Sequence, residues 1–86
     1  LSNAGNQPMN IDDRYVITYN GEIYNYIELK LELENHGIVF HSNSDTEVIL
    51  RSYEYWGEKC VERFNGMWAF AIFDKINNYI FLIFKR

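Results

Sequence analysis

Any chemistry in this chain of 86 residues has to come from a few scattered side chains, and the adjacent pair Asn20-Gly21 is the first of them. The side-chain NH₂ of Asn20 and the backbone N–H of Gly21 are two donors from which an oxyanion hole can be built, placed to stabilise negative charge developing on a carbonyl oxygen. The same dipeptide is foremost a turn signal, because both residues tolerate positive φ, so an ordinary turn stands beside the functional reading. Glu22 shares that ambiguity, as a solvated turn residue or as a polar contact beside the pair. Asp45 falls in the expected first turn of a helix, where exposed amides stabilise a carboxylate. Its alternative is to face a cleft and accept hydrogen bonds from a substrate ammonium. Cys60 is the single cysteine and by type the obvious nucleophile. It sits between Lys59 and Val61 with no glycine-rich elbow and no histidine near it in sequence, so it reads as a buried structural thiol. His36 and His41 are too few and too far apart for a metal site, and none is expected.

The elements that must position these groups follow from local pattern. Residues 15–19 are β-branched and aromatic and predict a strand. Asn20-Gly21 would turn the chain at the sheet edge, and Asn25 with Glu28 resembles a capping box opening a helix. Residues 27–34 alternate apolar and charged, which by period alone is a half-buried strand. Leu, Glu and Lys are nonetheless strong helix formers, and His36-Gly37 supplies a helix end, so the reading is a helix over 26–36 burying Tyr26, Leu29 and Leu33. A short strand is expected at 38–40. Ser44 and Glu47 then form a second capping box, opening a helix whose apolar face is Ile49, Tyr53 and Trp56 and which Gly57 ends. Residues 58–64 read as a helical turn carrying Cys60, Val61 and Phe64 inward. Residues 67–73 are too apolar to alternate and predict a strand covered on both faces, returning through a hairpin at 74–78 to an antiparallel strand at 79–84. Residues 1–13 read as an irregular approach loop. The result is an α+β class, with helices layered on a sheet.

Bulk properties narrow the function. A composition 48% hydrophobic and 17% aromatic is that of a globular chain, and 86 residues allow one domain. A net charge of −4 and a pI near 5.0, with Lys and Arg scattered, argue against nucleic acid or anionic membrane as the natural partner. No apolar run approaches the ~20 residues a membrane span requires. The sequence opens without methionine and reads as one partial domain, residues 1–86, cut from something longer.

Four stretches carry a family resemblance: Tyr19-Asn20-Gly21-Glu22-Ile23-Tyr24-Asn25-Tyr26, Ser44-Asp45-Thr46-Glu47-Val48, Tyr53-Glu54-Tyr55-Trp56-Gly57, and Phe64-Asn65-Gly66-Met67-Trp68-Ala69-Phe70-Ala71-Ile72. In this order they resemble the glutaminase domain of asparagine synthetases, class II glutamine amidotransferases of the N-terminal-nucleophile (Ntn) hydrolase type. Residues 5–9 resemble that family's approach loop. The resemblance implies part of a four-layer αββα sandwich, incomplete at its N-terminus. It also implies glutamine hydrolysis through a thioester on an N-terminal cysteine. Ammonia would then pass to a synthetase domain that uses ATP and Mg²⁺, neither of them bound by this segment. Asn20 and Gly21 match the oxyanion-hole pair; Gly21 and Glu22, together with Asn20, match contacts to the L-glutamine substrate; Asp45 matches the acceptor for its α-ammonium. The nucleophilic cysteine and the family's carboxylate-holding arginine are not among these residues. Phe84-Lys85-Arg86 stands where the family usually has Arg-Asp-Arg. The single cysteine fits a reducing, cytoplasmic location, and apolar faces of 15–19 or 67–73 left uncovered without the N-terminal strands point to a homo-oligomer. The rival expectations are a non-catalytic scaffold or binding module, and a class II amidotransferase whose acceptor is a sugar or phosphoribosyl pyrophosphate.

Overall fold

The computed structural model describes residues 8–85. The chain divides into two compact units, Leu1–Glu22 with Gly66–Arg86, and Ile23–Asn65. The first is built on a four-stranded sheet in the order β1-β2-β3-β4, with β1 Met9–Ile11, β2 Tyr15–Ile23, β3 Gly66–Asp74 and β4 Tyr79–Lys85. β1 pairs antiparallel with β2, Met9 facing Ile17, and β3 pairs antiparallel with β4, Trp68 facing Lys85.

β1 was not expected. It covers part of the approach loop foreseen at 1–13, whose residues 1–7 lie outside the described residues, as does Arg86. The strand exists because Asp12 and Asp13 both take positive φ, 59° and 52°, and Arg14 N–H donates to the Ile11 carbonyl at 3.2 Å. That geometry matches the right-handed twist of a hairpin. The β3–β4 hairpin forms as foreseen, and Asp74 anchors it. Its carboxylate accepts from Arg14 Nε at 3.1 Å and Nη2 at 2.8 Å, from Ile76 N–H at 3.0 Å and from Asn77 N–H at 3.2 Å. The paired Arg14 guanidinium, followed by the turn amides, outweighs burial and holds the Asp74 carboxyl well below the usual carboxylate range.

One sheet face buries Tyr15, Ile17 and Tyr19 of β2 and Trp68, Phe70 and Ile72 of β3. The other is open: the cover on both faces expected for residues 67–73 is not met within these residues, and an apolar face is left uncovered, as was also expected. Met67 and Ala69 are exposed on β3 and Ala71 and Phe73 half-buried, while Phe84, Leu82 and Ile80, which face Ala69, Ala71 and Phe73 from β4, are 63–72% exposed. Alternation was invisible in the sequence because both faces of β3 are apolar.

The second unit holds α1 Tyr26–Asn35, α2 Asp45–Trp56 and a 3-10 helix Gly57–Arg63, with α1 against α2 and α2 against the 3-10 helix. α1 buries Leu29 and Leu33, while Ile27 and Leu31 are each 57% exposed, so helical spacing and not the alternation sets the buried stripe. Tyr26 is only half-buried. The capping box foreseen at α1 does not form. Asn25 Nδ2 donates to the Arg63 carbonyl at 2.8 Å and its Oδ1 accepts from Asn65 N–H at 3.0 Å. The side chain thus imitates a peptide group, closing the start of α1 onto residues 63–65. The strand expected at 38–40 is also absent. Ile38 N–H donates to the Leu33 carbonyl at 3.0 Å, finishing the helix end, and the tripeptide has no ladder partner. Cys60 and Phe64 are buried as foreseen and Val61 is half-buried.

Candidate active site

Asn20, Gly21 and Glu22 lie together on β2, inside the strand and not at a turn. The expected turn is therefore corrected: the glycine serves a close approach. Gly21 has φ +118°, and a Cβ built there would stand 2.7 Å from Trp68 Cα and closer still to the Met67 carbonyl oxygen. Only a residue without a side chain lets β2 and β3 come together at this point. Asn20 and Glu22 are exposed, as alternation along β2 requires for residues opposite the buried Tyr19 and Ile23. The side-chain amide of Asn20 has no hydrogen-bond partner among the described residues, so its two N–H donors are available to a ligand. Asn20 and Gly21 line a shallow hollow of about 290 Å³, completed by Met67, Trp68, Ala69, Phe84 and Lys85. The surroundings of the donor are thus mostly apolar, with one cation at the rim. Sequence reading missed these β3 and β4 neighbours.

Asp45 belongs to the other unit, as the first residue of α2. It is half-buried, and its carboxylate accepts no hydrogen bond from a described residue. The turn that carries it is tightly held. Ser44 is the N-cap, its Oγ accepting from Thr46 N–H at 3.0 Å. Glu47 does not close the capping box foreseen with Ser44. Its carboxylate accepts from His41 N–H at 3.0 and 3.2 Å, from Ser42 Oγ at 2.8 Å and from Arg51 Nε at 3.0 Å. Ser42 Oγ in turn accepts from Ser44 N–H at 3.3 Å. Burial pushes the Glu47 carboxyl up, but the His41 amide, the Ser42 hydroxyl and Arg51 together outweigh it and hold the group below its ordinary value. The available signal was the i,i+4 spacing of Glu47 and Arg51, which normally marks an exposed pair.

The remaining candidates take structural parts. Burial, and then the charge of Glu58, push the Cys60 thiol up to about 12, so it is protonated at neutral pH and no nucleophile. His36 stacks on Tyr55 with ring centroids 5.0 Å apart. The described residues contain no group of three His, Cys, Asp or Glu side chains able to hold a metal ion, and no helix among them is long and apolar enough to cross a membrane.

Comparison with known proteins bears on this geometry. Asparagine synthetase [glutamine-hydrolyzing] 3 of Bacillus subtilis is 48% identical over 81 residues, spanning 91% of this chain and 13% of that protein. Asparagine synthetase [glutamine-hydrolyzing] of Triphysaria versicolor is 45% identical over 76 residues, spanning 87% of this chain and 13% of its own length. The chain therefore spans about an eighth of these relatives. Among solved structures, glutamine phosphoribosylpyrophosphate amidotransferase of B. subtilis superposes with a TM-score of 0.72 at 23% identity. That match covers 92% of this chain and 20% of that one, a likeness of fold that supports the α+β class foreseen. The family model for the glutamine amidotransferase domain matches residues 1–86. By that match along its whole length, the chain belongs to the glutamine amidotransferase domain family.

Proposed function

We propose that this chain forms the substrate-binding and oxyanion-stabilising part of a glutaminase site. In this reading it hydrolyses glutamine within an asparagine synthetase, supplying ammonia for ATP-dependent asparagine formation. The observation that carries the reading is the Asn20 amide, unengaged by described residues and lining an apolar hollow beside a glycine-only approach, in a chain of this family. Asn20 Nδ2 and Gly21 N–H would donate to the amide oxygen of glutamine as it becomes an oxyanion. Glu22 would contact the substrate from the same strand. Asp45 would accept from the α-ammonium. The attacking thiolate is not Cys60; it would come from an N-terminal cysteine outside these residues. ATP and Mg²⁺ would serve a synthetase domain, also outside them, and no residue described here is assigned to either. A cytoplasmic location and a homo-oligomer accompany this reading.

The test is Asn20→Ala in the full-length gene product, with glutamine and free ammonia compared as nitrogen sources. Losing one oxyanion donor should lower kcat with glutamine by ~100-fold or more. Ammonia-dependent asparagine formation should be unchanged, because ammonia bypasses the site. An equal loss with both sources would make Asn20 a structural residue and defeat the reading.

A further inference from the structure

The residue two positions beyond Asp45 is a carboxylate 3% exposed. Burying a charge is expensive, and the first turn of a helix offers a carboxylate an inexpensive place in solvent instead. Nor is Glu47 needed to cap α2, since Ser44 does that. What the buried group accomplishes is visible in its partners. Both oxygens accept from the His41 amide, one takes the Ser42 hydroxyl, and Arg51 Nε closes the set from the following turn. Arg51 is itself only 6% exposed and donates through Nη1 to Glu54 at 2.9 Å, so the anchor is fixed from behind. On the loop side the network continues: the Ser42 hydroxyl accepts from Ser44 N–H, and Ser44 Oγ from Thr46 N–H. Asp45 lies between the last two residues of that relay. Its backbone is gripped on both sides, while its own carboxylate has no described partner.

We infer that Glu47 is a positioning residue for glutamine binding: it draws the 41–44 loop onto the first turn of α2, through Ser42, and so fixes the direction in which Asp45 presents its carboxylate. The inference rests on the reading of Asp45 as the ammonium acceptor. An acceptor held by a rigid turn loses little freedom on binding, whereas the same carboxylate on a loose loop end must be ordered by the ligand. Glu47 makes no contact with substrate and acts only through Asp45.

This separates Glu47 from a residue that merely holds the fold. In the full-length gene product, glutamine KM is measured for Glu47→Gln, Asp45→Asn and the double variant. The inhibition constant of 4-carbamoylbutanoate, glutamine without its α-ammonium, is measured beside it. Glu47→Gln should raise glutamine KM about tenfold, the scale set by a charge-assisted hydrogen bond. It should leave the inhibition constant of the analogue within twofold and add less than twofold on top of Asp45→Asn, as expected for two residues acting through one contact. A parallel loss for glutamine and analogue, or a full tenfold loss in the Asp45→Asn background, overturns the inference while sparing Asp45. An Asp45→Asn variant with unchanged glutamine KM overturns the ammonium-acceptor reading and the inference with it. Should Glu47→Gln fail to fold, Ser42→Ala cuts the same relay at an exposed position. It should raise glutamine KM about threefold and leave the analogue unaffected; an unchanged glutamine KM there also overturns the inference.

Discussion

Gly21→Ala is the most direct probe of how the sheet builds the site. Two costs arise at that position. An alanine would inherit φ +118°, a backbone conformation in which an L side chain is strained by about 1–3 kcal/mol. Its Cβ would also lie 2.7 Å from Trp68 Cα, where ordinary contact begins at 3.4 Å, and closer still to the Met67 carbonyl oxygen, so the strands must part by more than about 0.7 Å. Main chain cannot yield as a flexible side chain does, and overpacking of this kind typically costs a further ~1–3 kcal/mol. The sum, about 2–6 kcal/mol, is a large share of the stability of an ordinary domain. Gly37→Ala is the internal control. Gly37 also has positive φ, +90°, but a Cβ there meets nothing within 4 Å, so only the backbone term applies. Urea unfolding of both variants in the full-length gene product should show Gly21→Ala losing at least ~1 kcal/mol more than Gly37→Ala. Glutamine turnover should fall only in the former. If the two variants lose equal stability and both hydrolyse glutamine normally, the close approach of β2 and β3 is not what the glycine is for.

Three further outcomes follow from single groups. Asp45→Asn should weaken glutamine binding by roughly 1.5–3 kcal/mol, tenfold or more in KM, with an unchanged melting temperature; an unchanged KM with a lowered melting temperature would leave Asp45 a helix-end residue. The 86-residue polypeptide by itself should release no ammonia from glutamine, and its Cys60 should resist alkylation at pH 8 until urea is added, since the thiol is buried and pushed up to about 12; ammonia above blank would contradict the first and fast labelling of the native chain the second. Asp74 has its pKa lowered in the fold, so it contributes stability above the unfolded value of about 4 that is lost as pH falls below it. Thermal melts should therefore show Asp74→Asn less stable at pH 7 and less sensitive to acid than the parent, and parallel pH profiles for the two would refute the Arg14–Asp74 account.

The second half of the fold was legible for sound reasons and the first half partly for mistaken ones. The 3-10 turn and the hairpin closing on β4 follow from punctuation that the structure uses as the sequence suggests. For α1 the result was right and one reason was not. Helix-forming residues did override the alternation, but Asn25 spends its side chain on Arg63 and Asn65 and gives no cap. Nothing local distinguishes an asparagine that caps from one that bridges forty residues ahead. The absent strand at 38–40 shows the same limit, because β-branched residues make a strand only where a partner supplies hydrogen bonds.

For the site, residue types were easier to read than placement. A glycine after an asparagine signals a turn by propensity alone, yet a glycine is equally required wherever another backbone approaches, and only β3 reveals which applies. That difference matters to the chemistry. A donor on a turn would sway with its loop, whereas a donor on the stretch of β2 that runs beside β3 would keep its aim as charge develops on the carbonyl oxygen of the proposed substrate. Preorganisation of this kind is what makes an oxyanion hole effective. The Glu47 relay does for a carboxylate in the second unit what the sheet does for Asn20. It was hidden because Ser44 and Glu47 have the spacing of a capping box, and a capping box leaves its glutamate near solvent. A buried carboxylate that reaches past the cap to a loop amide is costly for stability alone; its return is a carboxylate at Asp45 held in one direction.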